Sequence, residues 1–385
     1  MIPVTPRGLW SRSLAAIGLV VVVLGARPAS QPSPQDAWPA VARIVSVGDL
    51  HGDYDQFVTI LRDAALVDAE TQWTGGAAHL VQLGDVLDRG PDSRRIMDLL
   101  MRLERDAIAA GGRVHALIGN HETMNVYGDL HDVSPGEFEA FRDAGSVTTR
   151  EAFYERYVDQ MTAASAAPVQ GDAAFRQRFE AQFPLGYVEH RRAFAADGPY
   201  GRWIRGHDAV VKIGDSLFLH GGISPAYLEV PIREINDRIR QELTEASRLR
   251  DVDVLQASII GDPDGPLWYR ALVNQPEADL AAHVDAVLEQ FDVRRIVVGH
   301  TVNLGTVMPR FGGKVLSIDV GLSSVYGGPP ASLLIEQGTP YALHRGEQLD
   351  LRAASAGGLM EFLRRAAELE PDGSPFRRRI DALGR

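Results

Sequence analysis

Short apolar runs, each closed by glycine and a polar side chain, recur along this chain. They read RIVSVGDLHGD from Arg43, HLVQLGDVLDRG from His79, VHALIGNHE from Val114, SLFLHGG from Ser216, RRIVVGH from Arg294 and VLSIDVG from Val315. Each run has the length and β-branched content of a buried strand. Helix-face spacing follows the first two, at Phe57, Ile60, Leu61 and Ala64, then at Ile96, Leu99, Leu100 and Leu103. Strands alternating with helices predict an α/β fold, in which ligand sites gather beyond the carboxyl ends of strands. All six polar clusters would lie there.

The rhythm breaks over residues 125–201. Helical stretches rich in aromatic and charged residues surround Glu151–Tyr157 and Ala173–Phe183, with an Ala-Pro-rich break between them. This segment reads as an α-helical insertion, either capping the core beside the site or decorating it at a distance. Gly357 to Glu370 reads as a helix, and Pro371 to Arg385 as a loose tail whose Arg377–Arg379 run is a solvated face.

The first 30 residues carry Arg7, Arg12 and Arg27, no acidic residue, and an unbroken apolar and glycine run from Leu14 to Ala26. That is a signal-peptide pattern, too short for the roughly 20 residues of a spanning helix. It implies export, to the periplasm of a bacterium, with retention as an uncleaved anchor as the alternative. A proline-rich linker at 31–41 leads into a catalytic domain at 42–350, followed by the 351–385 helix and tail. Loss of the first 30 residues would take the formal charge from −12 to −15. So acidic a chain does not hold nucleic acid by its overall field. It has no cysteine, which excludes disulfides, thiolate metal sites and cysteine nucleophiles. Any metal must be held by Asp, Asn, His or Glu.

Residues two apart in an extended segment share a side, so Asp49 and His51 can face one ion while Leu50 turns into the core. Taken alone, the string also fits a turn with an N-capping aspartate. Asp85 stands at the equivalent place on the second strand, where a carboxylate has two oxygens with which to bridge a pair of ions. Asp88 and Arg89 follow; they suit either a local turn or a guanidinium fork for phosphate. Asn120 and His121 should point in opposite directions, the amide oxygen toward a metal and the imidazole toward substrate. His220 and His300 complete the strand-end set, whereas His115 and His283 read as structural histidines. This oxygen and nitrogen donor set suits Mn²⁺, Fe or Zn²⁺. Two divalent ions against Asp49 and Asp85 leave a charge of about +2, or about +1 with a bridging hydroxide, which favours an anionic substrate such as a phosphate monoester.

The motifs GDxHG at Gly48–Gly52, GDxxDRG at Gly84–Gly90, GNHE at Gly119–Glu122, HGG at His220–Gly222 and the late His300 resemble those of the metal-dependent phosphoprotein phosphatases, within the calcineurin-like metallophosphoesterases. GDVLDRGPDSR, GNHETMNVYGDL and GPLWYR look most like the Shewanella-like branch. The resemblance implies a four-layer fold, two mixed sheets packed face to face and flanked by helices. It implies two divalent ions, manganese first and iron or zinc otherwise. Asp49, His51 and Asp85 would hold one, and Asp85, Asn120, His220 and His300 the other. Arg89 and Arg270, with Asn120, would bind phosphate, and His121 paired with Asp88 would protonate the leaving group.

The expected reaction is hydrolysis of a phosphomonoester by direct attack of metal-bound hydroxide, with no phosphoenzyme. The substrate would be phosphotyrosine or phosphoserine/threonine in a protein or peptide, or a small phosphoester. SIDVG also resembles bacterial dinucleoside polyphosphate hydrolases, so nucleotide substrates are the alternative. A secreted metal- or phosphate-binding protein without turnover is the remaining one.

Overall fold

The computed structural model describes residues 35–164 and 171–383. The N-terminal signal pattern, residues 31–34 of the linker, most of the Ala-Pro-rich break and the last two residues lie outside them. Among the described residues twelve strands form two six-stranded sheets. In chain order they are β1 Ala37–Trp38, β2 Arg43–Val47, β3 His79–Gln82, β4 Arg113–Ala116, β5 Val210–Ile213, β6 Ser216–Leu219, β7 Arg295–Val298, β8 Met308–Arg310, β9 Val315–Ser317, β10 Ala331–Glu336, β11 Thr339–His344 and β12 Glu347–Asp350. One sheet runs β12-β11-β10-β2-β3-β4 and the other β1-β5-β6-β7-β9-β8. The trios β2-β3-β4 and β6-β7-β9 are parallel inside their sheets.

Period-two alternation separates the layers. Ile44, Val81, Phe218, Val297, Leu316 and Leu333 share the core between the sheets. Their neighbours face outward: Val45, Val47 and Leu80 join Phe57 and Leu61 of α1 (Tyr54–Asp63) and Leu100 and Leu103 of α2 (Ser93–Ala109). Leu217, Ile296 and Val298 join Ile235 and Ile239 of the helix Ile232–Thr244, and Val284 and Val287 of the helix Glu277–Gln290. The result is the expected four-layer α/β architecture. No helix among the described residues is long and apolar enough to cross a membrane.

Three boundaries differ from the sequence reading. The expected linker ends in an edge strand, because Ala37 and Trp38 pair with Lys212 and Ile213, and the Trp38 ring meets His79 and His115 edge-on. Asn125 belongs to α3 (Asn120–Tyr127), so the insertion starts after it and, among the described residues, carries five helices rather than two. Its aromatic residues form their own cluster, with Phe153 5.1 Å from Phe183 and 5.8 Å from Tyr187 between ring centroids. The tail contains the helix Pro375–Leu383, whose Phe376 and Ile380, one turn apart, are buried.

Candidate active site

The glycine before Asp49, Asp85, Asn120 and His300 is a steric requirement at the rim where the two sheets meet. A Cβ on Gly299 would stand 2.5 Å from Asp49 Oδ1, and one on Gly119 would stand 2.4 Å from Asp85 Oδ1. Only hydrogen fits there. The loops beyond are strained as well: His51, Asp85, Asp88, Arg89 and His300 adopt φ of 43°, 56°, 71°, 67° and 62°. Such left-handed non-glycine residues cost about 1–3 kcal/mol each and persist where surrounding contacts enforce them. Here the amides of Leu50 and His51 both donate to the Asp85 carbonyl, at 2.9 and 3.0 Å. The buried Glu122 carboxylate accepts from the amides of Asp85, Val86 and Gly119 at 2.8, 2.9 and 2.7 Å, which ties the β3 loop to the start of α3.

These loops bring together side chains from both sheets. Asp85 Oδ1 lies 3.3 Å from His220 Nε2, and Asp85 Oδ2 lies 3.8 Å from His51 Nε2 and 3.7 Å from His121 Nε2. Asp49 Oδ2 is 3.9 Å from His51 Nε2, and Asn120 Oδ1 is 3.0 Å from His220 Nε2. The His300 amide donates to Asp49 Oδ1 at 3.0 Å. Among the described residues two triads can each converge on one ion, His51-Asp85-His121 and Asp85-His220-His300, and both are buried. Asp85 belongs to both.

The donor set fits cations. His51 and His220 each donate Nδ1–H to a backbone carbonyl, of Leu87 and Leu83, both at 2.9 Å. That fixes each ring with Nε2 toward the centre, as in histidines that bind metals. His300 Nε2 is buried without a hydrogen-bond partner, and such an orphan needs an explanation. Burial lowers His51 to about 3, and burial with His220 lowers His300 to about 2, so both rings are neutral donors. Burial, then Asp319 and Asp85, pushes Asp49 well above the usual carboxylate range, and burial raises Asp319 to about 6. Burial pushes Asp85 up too, but His220, His121 and His51 outweigh it and hold it well below that range. Three buried carboxylates thus crowd a place where two of the imidazoles carry no charge.

His121 is built differently. Its Nδ1 sits 2.5 Å from Asp88 Oδ2, whose other oxygen accepts from Asn125 Nδ2 at 2.8 Å. Burial lowers its basicity, but Asp85 and Asp88 outweigh burial and raise it to about 9. Asn120 and His121 open α3 side by side, so their directions differ by the roughly 100° of a helical step rather than by the half-turn expected of a strand. Arg89 reaches His51 Nε2 at 2.6 Å and His121 Nε2 at 3.2 Å, and donates to the Tyr326 hydroxyl. Arg270 donates to the His300 carbonyl at 2.7 Å. Both arginines line a cleft of about 320 Å³ with Asp85, Asn120, His121 and His300. His115 and His283 lie apart, paired with His79 and the Ile223 carbonyl.

Sequence reasoning gave no role to Asp319, Asp132 or Tyr326, which also line the cleft. Asp319 ended a recognised strand motif, and that position was its available signal. Asp132 lies 3.6 Å from Arg89 and follows α3 in a loop with no motif of its own.

A sequence model of the family described as Calcineurin-like phosphoesterase matches residues 42–304. The chain is 30% identical over 287 residues to Shewanella-like protein phosphatase 2 of Arabidopsis thaliana, covering 73% of this chain and 71% of that protein. It is 28% identical over 262 residues to Shewanella-like protein phosphatase 1 of Plasmodium berghei, covering 67% and 61%. The solved cold-active protein-tyrosine phosphatase of a psychrophilic Shewanella superposes with a TM-score of 0.62 at 27% identity, over 83% of this chain and 82% of that one.

Proposed function

The chain belongs to the calcineurin-like phosphoesterase family and is a phosphoesterase, and we propose that it is a dinuclear metal-dependent phosphomonoester hydrolase acting on phosphorylated proteins, phosphotyrosine first. The observation that carries the dinuclear reading is the buried Asp85 carboxylate, which turns one oxygen toward His220 and the other toward His51. We assign one ion to Asp49, His51 and Asp85 and the other to Asp85, Asn120, His220 and His300. When bound, the ions would supply an acidified water for direct attack at phosphorus and neutralise the phosphoryl oxygens, without a phosphoenzyme.

The chain's own groups do the rest. His121 takes the acid role rather than a ligand's, because Asp88 holds a proton on its Nδ1 side and the cation form is favoured to about 9. In the imidazolium both nitrogens carry hydrogen, so Nε2, which faces the cleft, can pass a proton to the departing oxygen. Arg89 and Arg270 provide planar donors for the phosphoryl oxygens. A cation at His51 Nε2 would repel the guanidinium now 2.6 Å away and free Arg89 for that task.

The phosphoprotein reading is supported by the likeness to Shewanella-like phosphatases and to a protein-tyrosine phosphatase. It is tested by steady-state kcat/KM on phosphotyrosine, phosphoserine and phosphothreonine peptides beside nucleotides and dinucleoside polyphosphates. Peptides are expected to lead, with phosphotyrosine highest. A higher value on either nucleotide class would overturn the assignment.

A further inference from the structure

The first turn of the insertion is built into the catalytic loop. The strained pair Asp88 and Arg89 is clasped from one side by residues 132–140: the Arg89 amide donates to the Asp132 carbonyl at 2.9 Å, and Ser134 Oγ donates to the Gly90 carbonyl at 3.0 Å. Arg94 Nη1 donates to the Ala140 carbonyl at 2.6 Å, and a Cβ on Gly136 would stand 2.7 Å from Pro91 Cβ. Inside this clasp, on the helix Pro135–Ala140, the fully buried Glu137 carboxyl lies beside the Asp88 backbone N–H and the Ser93 hydroxyl. Neither carboxyl oxygen nor that hydroxyl closes a standard hydrogen bond with any group. These groups are therefore each other's available partners.

We propose that Glu137, in its neutral form, is a positioning residue that holds the Asp88–Arg89 turn, and through it the Asp88–His121 acid pair, in register with the leaving group. The inference rests on the acid role proposed above for His121. Asp88 already spends its charge on His121 and Asn125, and a second bare carboxylate buried beside it would be uncompensated. A neutral acid has both an O–H for Ser93 and an acceptor for the Asp88 amide. Burial, then Asp88, pushes the Glu137 carboxyl well above the usual range, in keeping with that form. The insertion thus contributes to catalysis without touching substrate.

The experiment compares kcat on p-nitrophenyl phosphate, whose leaving group needs little acid help, with kcat on a phosphoserine peptide, whose alkoxide needs it. Glu137→Ala should lose about tenfold more on the peptide than on the aryl ester, since misplacing the acid forfeits part of a 10²- to 10⁴-fold effect. Glu137→Gln keeps a donor and an acceptor and should stay within about threefold of the parent on both. Equal losses by Glu137→Ala on both substrates, or a Gln variant as selective in its loss as the Ala variant, would overturn the assignment. Should Glu137→Ala fail to fold, Ser93→Ala must show the same bias toward the peptide, and its absence would overturn it equally. His121→Asn is the reference. If that variant shows no bias, the acid role itself fails; bias there without bias at position 137 sinks only the Glu137 inference.

Discussion

Asp88→Asn changes one charge in the acid pair while keeping its shape, and its effect follows from the two hydrogen bonds Asp88 accepts. Asn125 Nδ2 donates to Asp88 Oδ1, so the new amide keeps its carbonyl oxygen there and turns its NH2 toward His121 Nδ1, which now faces Asp88 Oδ2. An N–H opposite Nδ1 opposes protonation of the ring on that side. Asp88 is one of the two carboxylates that raise His121 to about 9, so its loss lowers the basicity of the ring. The imidazolium is then less populated near neutral pH, and acid for the leaving group is lost. A misdirected proton adds to this, so kcat/KM on a phosphoserine peptide should drop by about 10- to 100-fold. The loss on p-nitrophenyl phosphate should stay within about threefold. The sign of the pH dependence is fixed by the raised basicity: acid-assisted turnover is complete at low pH and disappears as pH rises through the folded value. The basic limb of the variant's kcat/KM profile on the peptide should therefore move down. A limb that stays in place, or equal losses on both substrates with metals saturating, would refute the role of Asp88.

Asp85→Asn withdraws the carboxylate shared by both triads and should leave less than about a tenth of aryl phosphatase activity, with reduced metal content by elemental analysis. Full turnover with two ions bound would remove the case for a shared ligand. Gly299→Ala forces a methyl group against Asp49 Oδ1, now 2.5 Å from where it would sit, and should weaken metal binding by at least about tenfold in a calorimetric titration. Unchanged affinity would show that this close approach does not hold Asp49 in place.

The strand-end residues were readable because two local rules coincide. A β-branched run fixes a buried strand, and a glycine just beyond it marks where another backbone passes close. Gly48 and Gly84 make this concrete, since the atoms they admit belong to the backbone at Ile318 and Gly119. What was hidden depends on contacts between distant segments. Glu137 and Asp132 sit in a segment whose sequence gives no sign that it returns to residues 88–94. Asp319 looked like one more strand end because a single carboxylate after VLSI has no partner in its own stretch. The geometry of Asn120 and His121 was misread because the chain turns helical at Asn120, with the capping interactions of Glu122 at Gly119. Trp38 was assigned to a linker by the prolines before it, although its ring packs on His79 and His115.

The donors come from opposite ends of the sequence as well as from opposite sheets: Asp49, Asp85 and Asn120 arrive early, His220 and His300 late. A nascent polypeptide that has emerged only as far as residue 219 carries three oxygen donors and His51 but cannot close the second triad. Capture of the second cation must then wait until β7 has inserted beside β6. Loading of the second ion would report the completion of folding, and a chain that stalls partway would hold no dinuclear centre to act on the wrong partner.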